Sequence, residues 1–188
     1  VGVISNEKFE EIKKEENKST QTIIFRSSPF FEDPRSKKLG SRVLSNLEKL
    51  YLTIKKLSLK IEDDKNYLNL AHEAGVPVKN LKKLQNNLFG LEANFEQLSA
   101  IDFKKGCYIG QENTARMKLK NKLRKKLLPL ISQENLEVGS DITLNGNLIG
   151  KLLIANPYPF GLINIFDKKV SDLKNKEVLV GKQRAKII

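Results

Sequence analysis

The sequence has very few of the residues that form cross-links and metal sites. Its 188 residues include one Cys, one His and no Trp. A single Cys cannot form an intramolecular disulfide, which excludes a disulfide-stapled secreted scaffold. One Cys and one His also cannot hold a zinc ion or an iron–sulfur cluster by themselves. No apolar run approaches the roughly 20 residues that a membrane-spanning helix requires, so no membrane span is predicted.

The residues that are present are typical of a folded globular protein. Hydrophobic residues make up 39% of the chain and charged residues 30%, which excludes the disordered and fibrous classes. Charges interrupt the apolar stretch at Val1–Ile12 early, so no secretory signal peptide is predicted there. The length is sufficient for one large or two small domains with a hydrophobic core.

Positive charge is concentrated in one part of the chain. The formal net charge is +12, and residues 104–126 contain nine Lys and Arg residues but a single acid, Glu112. This basic segment (residues 104–126) therefore carries a charge of +8. Two interpretations remain open. The segment is either the solvated face of a Lys-rich protein, or a site for an anion such as nucleic acid or a small polyanionic ligand.

Residues before the basic segment alternate between strand and helix patterns. Gln21–Arg26 is β-branched and aromatic, which predicts a strand, and Glu32–Arg42 is rich in turn residues. Val43–Leu59 and Lys60–Gly75 have apolar residues at helical spacing, which predicts two helices.

The C-terminal third has a different pattern. Short apolar runs are separated by turn residues, and Asn145-Gly146 stands between two of them as a hairpin signal. Such spacing is typical of a small antiparallel barrel or sandwich. We therefore expect an α+β protein, with an α/β region at residues 1–122 and a C-terminal antiparallel β-barrel domain at residues 123–188. The basic segment would connect the two.

The segment Phe103–Met117 contains the sharpest local pattern. Gly106 and Gly110 permit tight turns, and Gln111–Met117 is predicted to be a helix that begins just after Gly110. Cys107 would lie close to the N–H groups at the start of that helix and beside a lysine, an environment that favours a thiolate. The alternative is a buried and inert thiol, which is common for Cys.

This segment resembles a known family signature. The string Lys105-Gly106-Cys107-Tyr108-Ile109-Gly110-Gln111-Glu112, followed by Ala115-Arg116, is similar to the K-G-C-Y-x-G-Q-E signature of the YgfZ-type folate-binding proteins. These are relatives of the glycine-cleavage T-protein (GcvT), an aminomethyltransferase. Further pieces resemble family elements in the same order, namely Asp33-Pro34-Arg35 with Leu39-Gly40 and Arg42, Tyr67 with Gly75-Val76-Pro77, and Leu91-Glu92-Ala93-Asn94.

Two features depart from the family pattern. Members are usually longer at the N-terminus, and that first segment is absent from this sequence, which begins with Val1. Ala71 stands where the family usually has an Arg before the G-I-P element, with His72 beside it. If that Arg helps to position folate, we expect binding to be weakened or rearranged. We expect His72 to be a residue of the helix surface and not a catalyst.

The resemblance implies a GcvT-like folate-binding region and a cofactor, tetrahydrofolate or a one-carbon derivative of it. Glu92, which matches the pterin-contacting Glu of the T-protein, can accept the adjacent N–H donors of a pterin ring. Arg116 can pair with the anionic glutamate tail of folate, and Tyr108 can pack on the pterin or p-aminobenzoate ring. Without the resemblance, Glu92 would be interpreted as an exposed loop carboxylate.

The resemblance also implies a role in the assembly or maintenance of iron–sulfur proteins, including tRNA-modifying enzymes. Cys107 is the candidate functional thiol, as a ligand that shares a cluster with a partner or as a redox group. Lys105 can tune its thiolate, and Gly106 and Gly110 can set the backbone geometry. Gln111 and Glu112 can orient the motif or cap the helix.

Three functions from different classes are therefore considered. The first is a tetrahydrofolate-binding factor in iron–sulfur cluster assembly, which is not a classical enzyme. The second is an aminomethyltransferase-like enzyme that transfers a one-carbon unit to tetrahydrofolate, and the third is an RNA-binding module that uses the basic segment. The expected partners are folate and iron–sulfur proteins or their assembly machinery, without a membrane. The expected location is the cytoplasm of a bacterium or the mitochondrial matrix of a eukaryote.

Overall fold

The computed structural model describes residues 1–17, 20–106, 110–120, 123–165 and 170–188. The chain divides into two compact units, Val1–Leu70 and Ala71–Ile188. The described helices are α1 (Asn6–Glu15), α2 (Leu47–Lys56), α3 (Asp64–Glu73), α4 (Glu112–Leu119) and α5 (Val170–Leu173). The described strands are β1 (Gly2–Ile4), β2 (Thr22–Phe25), β3 (Ser28–Glu32), β4 (Ser41–Val43), β5 (Lys125–Ile131), β6 (Asp141–Leu144), β7 (Asn147–Ile154), β8 (Phe160–Asn164), β9 (Glu177–Val180) and β10 (Gln183–Ile187).

The first unit is built on an antiparallel four-stranded sheet in the order β1-β4-β3-β2. Strand β2 alternates, with Ile23 and Phe25 buried and Thr22 and Ile24 exposed. The buried face of the sheet packs against Phe9 and Ile12 of α1 in one core cluster. The period of two in the strand and the i, i+3 spacing in the helix therefore meet in a common apolar layer.

Two helix boundaries follow from capping groups. Helix α2 begins later than predicted because Asn46 takes the N-cap position and accepts the N–H of Lys49 at 2.8 Å. Helix α3 ends at Glu73, two residues before the end of the predicted span, and Gly75 follows with a φ of +72° and donates its N–H to the carbonyl of His72. Both predicted helices are confirmed over shorter spans.

The segment predicted as a turn-rich link, residues 32–42, holds more regular structure than expected. It contains the last residue of β3, a short 3₁₀ turn at Lys37–Leu39, and the first two residues of β4. Strand β4 pairs with β3 on one side and with β1 on the other, where Val3 lies opposite Arg42. Three-residue strands carry too little periodicity to be recognised, because distant pairing stabilises them and not their own composition.

The second unit contains a closed antiparallel barrel of six strands in the order β10-β5-β8-β7-β6-β9. Its core is formed by alternating inward-facing residues such as Leu130, Ile142, Leu152 and Ile163, all fully buried. Asn145-Gly146 joins β6 to β7 with φ values of +52° and +79°, which is the backbone that a two-residue hairpin requires. The α+β class and the predicted C-terminal barrel are confirmed.

One glycine of the barrel marks a close approach of two strands. A Cβ on Gly150 of β7 would collide with the backbone carbonyl of Leu162 on β8. A side chain at this position would push the two strands apart, so the glycine permits the tight β7–β8 pairing that closes the barrel.

The barrel begins at Lys125, two residues after the start predicted for the C-terminal domain. The division at residue 122 stays a prediction. In the described ranges, no helix is long and apolar enough to cross a membrane.

Candidate functional site

Glu92 lies in a compact loop formed by residues 89–100. Its half-buried side chain turns back on the loop, and the backbone N–H of Phe89 donates to Glu92 Oε2 at 2.9 Å. The neighbours Leu91 and Ala93 are buried, while Asn94 takes a φ of +64°. Buried residues on both sides therefore hold Glu92 in place, and the carboxylate is not a free loop side chain.

The same loop is fastened to the first barrel strand, β5. The N–H of Leu127 donates to the carbonyl of Glu92 at 2.8 Å, and Asn94 Nδ2 donates to the carbonyl of Leu127 at 2.7 Å. The stretch that resembles the family's L-E-[AS]-N element thus occupies hydrogen-bonding positions along an edge of β5. Because both bonds involve backbone groups, the position of Glu92 depends on the barrel.

Helix α4 follows the candidate signature. Gly110 adopts a φ of +88°, and Gln111 is buried at the N-cap position. The side chain of Gln111 makes no capping bond to the described helix, although Glu112 in the first turn is exposed and complements the helix dipole. The predicted helix is confirmed with one residue's difference at its start, and the roles of Gln111 and Glu112 in orienting the motif stay predictions.

Helix α4 is linked to the Glu92 loop by charge. Lys118 Nζ bonds to Glu96 Oε1 and lies 5.5 Å from the centre of the Phe103 ring. Lys126 of β5 is half-buried; burial lowers its pKa, the Glu96 carboxylate opposes that change, and the Lys118 ammonium adds to it. The loop, the helix and the start of β5 therefore form one charged region within the second unit.

The structure describes some of the candidate site residues and not others. Lys105, Gly106 and Arg116 are exposed, and Arg116 lies on α4. Cys107 and Tyr108 lie outside the described residues. The structure therefore brings the Glu92 loop and α4 together through Glu96, and the roles assigned to the individual side chains stay predictions.

A search of known proteins found relatives that match about half of this chain. A Dictyostelium discoideum protein named iron-sulfur cluster assembly factor IBA57 homolog, mitochondrial, is 36% identical over 53% of this chain and 24% of its own length. A Buchnera aphidicola protein named tRNA-modifying protein YgfZ is 38% identical over 49% of this chain and 30% of its own length. The mouse iron-sulfur cluster assembly factor IBA57, mitochondrial, is 31% identical over 52% and 26%. The homologues of this chain are IBA57 and YgfZ proteins.

The similarity to YgfZ and IBA57 proteins confirms the resemblance that the signature indicated. The matched region spans about a quarter to a third of the length of these relatives. No family model matches the chain. Two of these three relatives are named as mitochondrial proteins, and the third is named as a tRNA-modifying protein. These names describe the relatives themselves.

Upstream elements that resemble YgfZ proteins meet in the first unit. The Asp33 carboxylate is fully buried and accepts bonds from Arg35 and Arg42, and both arginines also donate to the Tyr67 hydroxyl. We refer to Asp33, Arg35, Arg42 and Tyr67 as the arginine cluster. The sequence placed Asp33, Arg35 and Arg42 in one motif piece and Tyr67 in another, and it gave no signal that the two pieces touch.

The expectation that His72 is a surface residue is wrong. Its side chain is 7% exposed, and Nε2 lies 2.9 Å from the carbonyl oxygen of Pro159. The ring also packs edge-on against Phe160 at 5.1 Å between ring centres. Its neighbour Ala71, where YgfZ-type proteins usually have an Arg, is fully buried. The turn of α3 that carries both residues faces the interior of the second unit, which periodicity from the α3 sequence did not reveal.

The buried His72 should make stability depend on pH. Burial lowers the pKa of the ring below its ordinary value of 6.5, although the bond to the Pro159 carbonyl opposes this change. The unfolded chain therefore binds a proton that the folded chain excludes, and the free energy of unfolding should fall as pH falls below about 6.5. Denaturant unfolding at pH 7.5 and pH 5.5 measures this loss, and His72→Gln should show a smaller one. An equal loss in both proteins would contradict the assignment.

A shallow cavity of about 250 Å³ opens in the second unit near these elements. Asn94, Lys126 and Lys174 contribute to its wall, but neither Glu92 nor Arg116 does. Among the residues that the structure describes, no group of three or more His, Cys, Asp or Glu side chains is placed to hold a metal ion. The described side chains therefore do not form a complete metal site.

Proposed function

We propose that this chain is part of a tetrahydrofolate-binding protein that acts in the assembly or maintenance of iron–sulfur proteins. The observation that carries the proposal is the intact string Lys105–Glu112 in a chain whose homologues are iron–sulfur cluster assembly factors and a YgfZ protein. In this proposal the N-terminal region is GcvT-like and binds folate, and the iron–sulfur cluster is cargo. The expected partners are iron–sulfur proteins or their assembly machinery.

The surroundings of Glu92 fit a pterin ring. A carboxylate offers about four lone-pair positions, and the Phe89 N–H uses one of them on Oε2. Capacity remains on both oxygens for the adjacent N–H donors of a pterin. Because the loop is bonded to β5 through Leu127 and Asn94, the carboxylate is already ordered and loses little entropy when a ligand binds.

The charge on α4 fits the other end of the ligand. Folate ends in an anionic glutamate tail, and Arg116 is an exposed guanidinium on α4. Arginine binds carboxylates through two parallel N–H bonds, so Arg116 is the proposed partner of the tail. Tyr108 is the proposed aromatic contact. Tetrahydrofolate would supply its one-carbon chemistry, while these residues would bind and orient it.

The second proposed function, one-carbon transfer, depends on the same candidate folate-binding residues. It predicts consumption of an aminomethyl-lipoyl donor, whereas an assembly factor binds tetrahydrofolate without consuming such a donor. The signature has Cys107 at its centre, and this favours the role in iron–sulfur assembly over one-carbon transfer.

Titration with tetrahydrofolate tests the binding proposal. Calorimetry should show saturable binding to this chain, and Glu92→Gln should weaken it by about tenfold or more, because a bond to a charged group is worth roughly 1.5–3 kcal/mol. Glu137→Gln provides a matched control, since Glu137 is an exposed glutamate of the same unit that precedes β6. Absence of binding by the unchanged chain, or equal weakening by both variants, would contradict the proposal.

A further inference from the structure

The arginine cluster has more positive than negative charge. Arg35 bonds to both oxygens of Asp33, from Nε to Oδ1 at 3.0 Å and from Nη2 to Oδ2 at 2.8 Å. Arg42 Nε also donates to Oδ2 at 2.8 Å. One buried carboxylate therefore serves two guanidinium groups, and the cluster retains one uncompensated positive charge.

Tyr67 adds a further donor. Its hydroxyl oxygen accepts a bond from Arg35 Nη2 at 2.8 Å and a longer one from Arg42 Nη2 at 3.4 Å. A phenolic oxygen has two lone pairs, and both are directed at the arginines. The hydroxyl proton can therefore only point away from the two guanidinium groups. Among the described residues, none accepts that proton.

The two arginines of the cluster are partly exposed, whereas its carboxylate is not. The side chains of Arg35 and Arg42 are 26% and 27% exposed, while that of Asp33 is completely buried. Neither Nη1 group bonds to a described residue, so each guanidinium keeps the two N–H donors of Nη1 available. The buried Asp33 holds both guanidinium planes in fixed positions, which removes most of the entropy cost of arranging them around a ligand.

We propose that the arginine cluster is a binding site for an oxyanion, namely the carboxylate or phosphate group of a small ligand. Arg35 and Arg42 would each donate from Nη1, and the Tyr67 hydroxyl would donate between them. This site belongs to the first unit alone. Neither of the candidate folate residues Glu92 and Arg116 is part of it, since both belong to the second unit.

A purely structural cluster is the competing explanation. In that case the arginines only join β4 and the turn after β3 to α3, and anions act on the protein solely through ionic strength. The two explanations differ in one measurable respect, which is whether an anion binds saturably and stabilises the folded state at constant ionic strength.

Two probes and a matched pair of variants test the proposal. The unchanged chain is titrated with inorganic phosphate and with glutarate, by calorimetry and by thermal unfolding, with sodium chloride replaced to keep ionic strength constant. At least one probe should bind saturably and raise the melting temperature, and the stronger one identifies a phosphate or a carboxylate ligand. Arg42→Gln should weaken that binding by about tenfold or more. Arg26→Gln, the same change at an exposed arginine of the same unit, should leave it unchanged.

Arg42→Lys keeps the test decisive if Arg42→Gln fails to fold. A lysine preserves the positive charge beside Asp33 but lacks the outward guanidinium pair, so the protein should fold and still bind the anion about tenfold more weakly. Absence of saturable binding by the unchanged chain would overturn the proposal. Full affinity in Arg42→Lys, or equal weakening in Arg26→Gln, would overturn it as well.

Discussion

Asp33→Asn should lower the free energy of unfolding by about 3 kcal/mol, because it leaves two arginines without their counter-ion. The Asp33 side chain is completely buried, and it is the acceptor for Arg35 and Arg42 together. Asparagine has nearly the same volume and preserves an oxygen, so the substitution removes charge without creating a cavity. Urea unfolding followed by circular dichroism measures the loss.

Acid sensitivity provides an independent check on this carboxylate. Burial raises the pKa of Asp33, but bonds from Arg35 and Arg42 outweigh burial and hold the pKa at about 2, below its ordinary value of 3.8. The folded pKa is therefore depressed, so the stability that Asp33 contributes is present above pH 3.8 and is lost as pH falls towards 2. Asp33→Asn should lack this part of the acid dependence.

Glu48→Gln is the control for the loss of one negative charge. Glu48 is exposed in the first turn of α2, in the same unit as Asp33. Its neutralisation should change the free energy of unfolding by less than about 1 kcal/mol. If Asp33→Asn has an effect as small as that of Glu48→Gln, the arginine cluster does not anchor α3 to the sheet.

Cys107→Ala should remove the ability of the protein to support iron–sulfur enzymes in cells while leaving the fold intact. A cluster usually takes four ligands and this chain has one Cys, so the thiolate would be a shared ligand with the others supplied by a partner or a second copy. Alanine deletes the only thiol of the chain. In cells that express this variant, the activity of an iron–sulfur enzyme should therefore be as low as in cells that lack the protein.

Complementation in cells that lack the native protein measures this effect, with thermal unfolding of the purified variant as the test of folding. Lys104→Ala is the matched control, since Lys104 is exposed and lies just before the signature that begins at Lys105. It should complement fully. Full complementation by Cys107→Ala would show that the thiol has no role in the proposed function.

Local signals in the sequence predicted the elements that carry their own stop and start residues. Gly75 ends α3, and Asn145-Gly146 forms the hairpin turn, because positive φ values restrict the residues that fit these positions. The barrel could be predicted for the same reason, since turn residues separate short apolar runs. Strands β1 and β4 could not, because their three residues are held by partners far away in the sequence.

The candidate site was predicted as a set of residue types and not as an arrangement. The sequence pointed to Glu92 and Arg116, but the bonds that position Glu92 come from Phe89 and Leu127, whose role lies in their backbone groups and not in their side chains. Likewise, Tyr67 lies 34 positions after Asp33, and no pattern along the chain indicates that Arg35 bonds to both. The sequence predicts which side chains are available for binding. Hydrogen bonds between distant segments depend on the fold and could not be predicted from the sequence.

The bond between Leu127 and the Glu92 carbonyl gives the candidate loop a natural spectroscopic reporter. The amide N–H of Leu127 donates to the Glu92 loop and not to a neighbouring strand. Its hydrogen-exchange rate therefore measures how often the loop separates from β5. A ligand that binds Glu92 would slow the exchange of this one proton, while the amide protons bonded between barrel strands would exchange at unchanged rates. A single resonance can therefore follow occupancy of the loop without any label on the ligand.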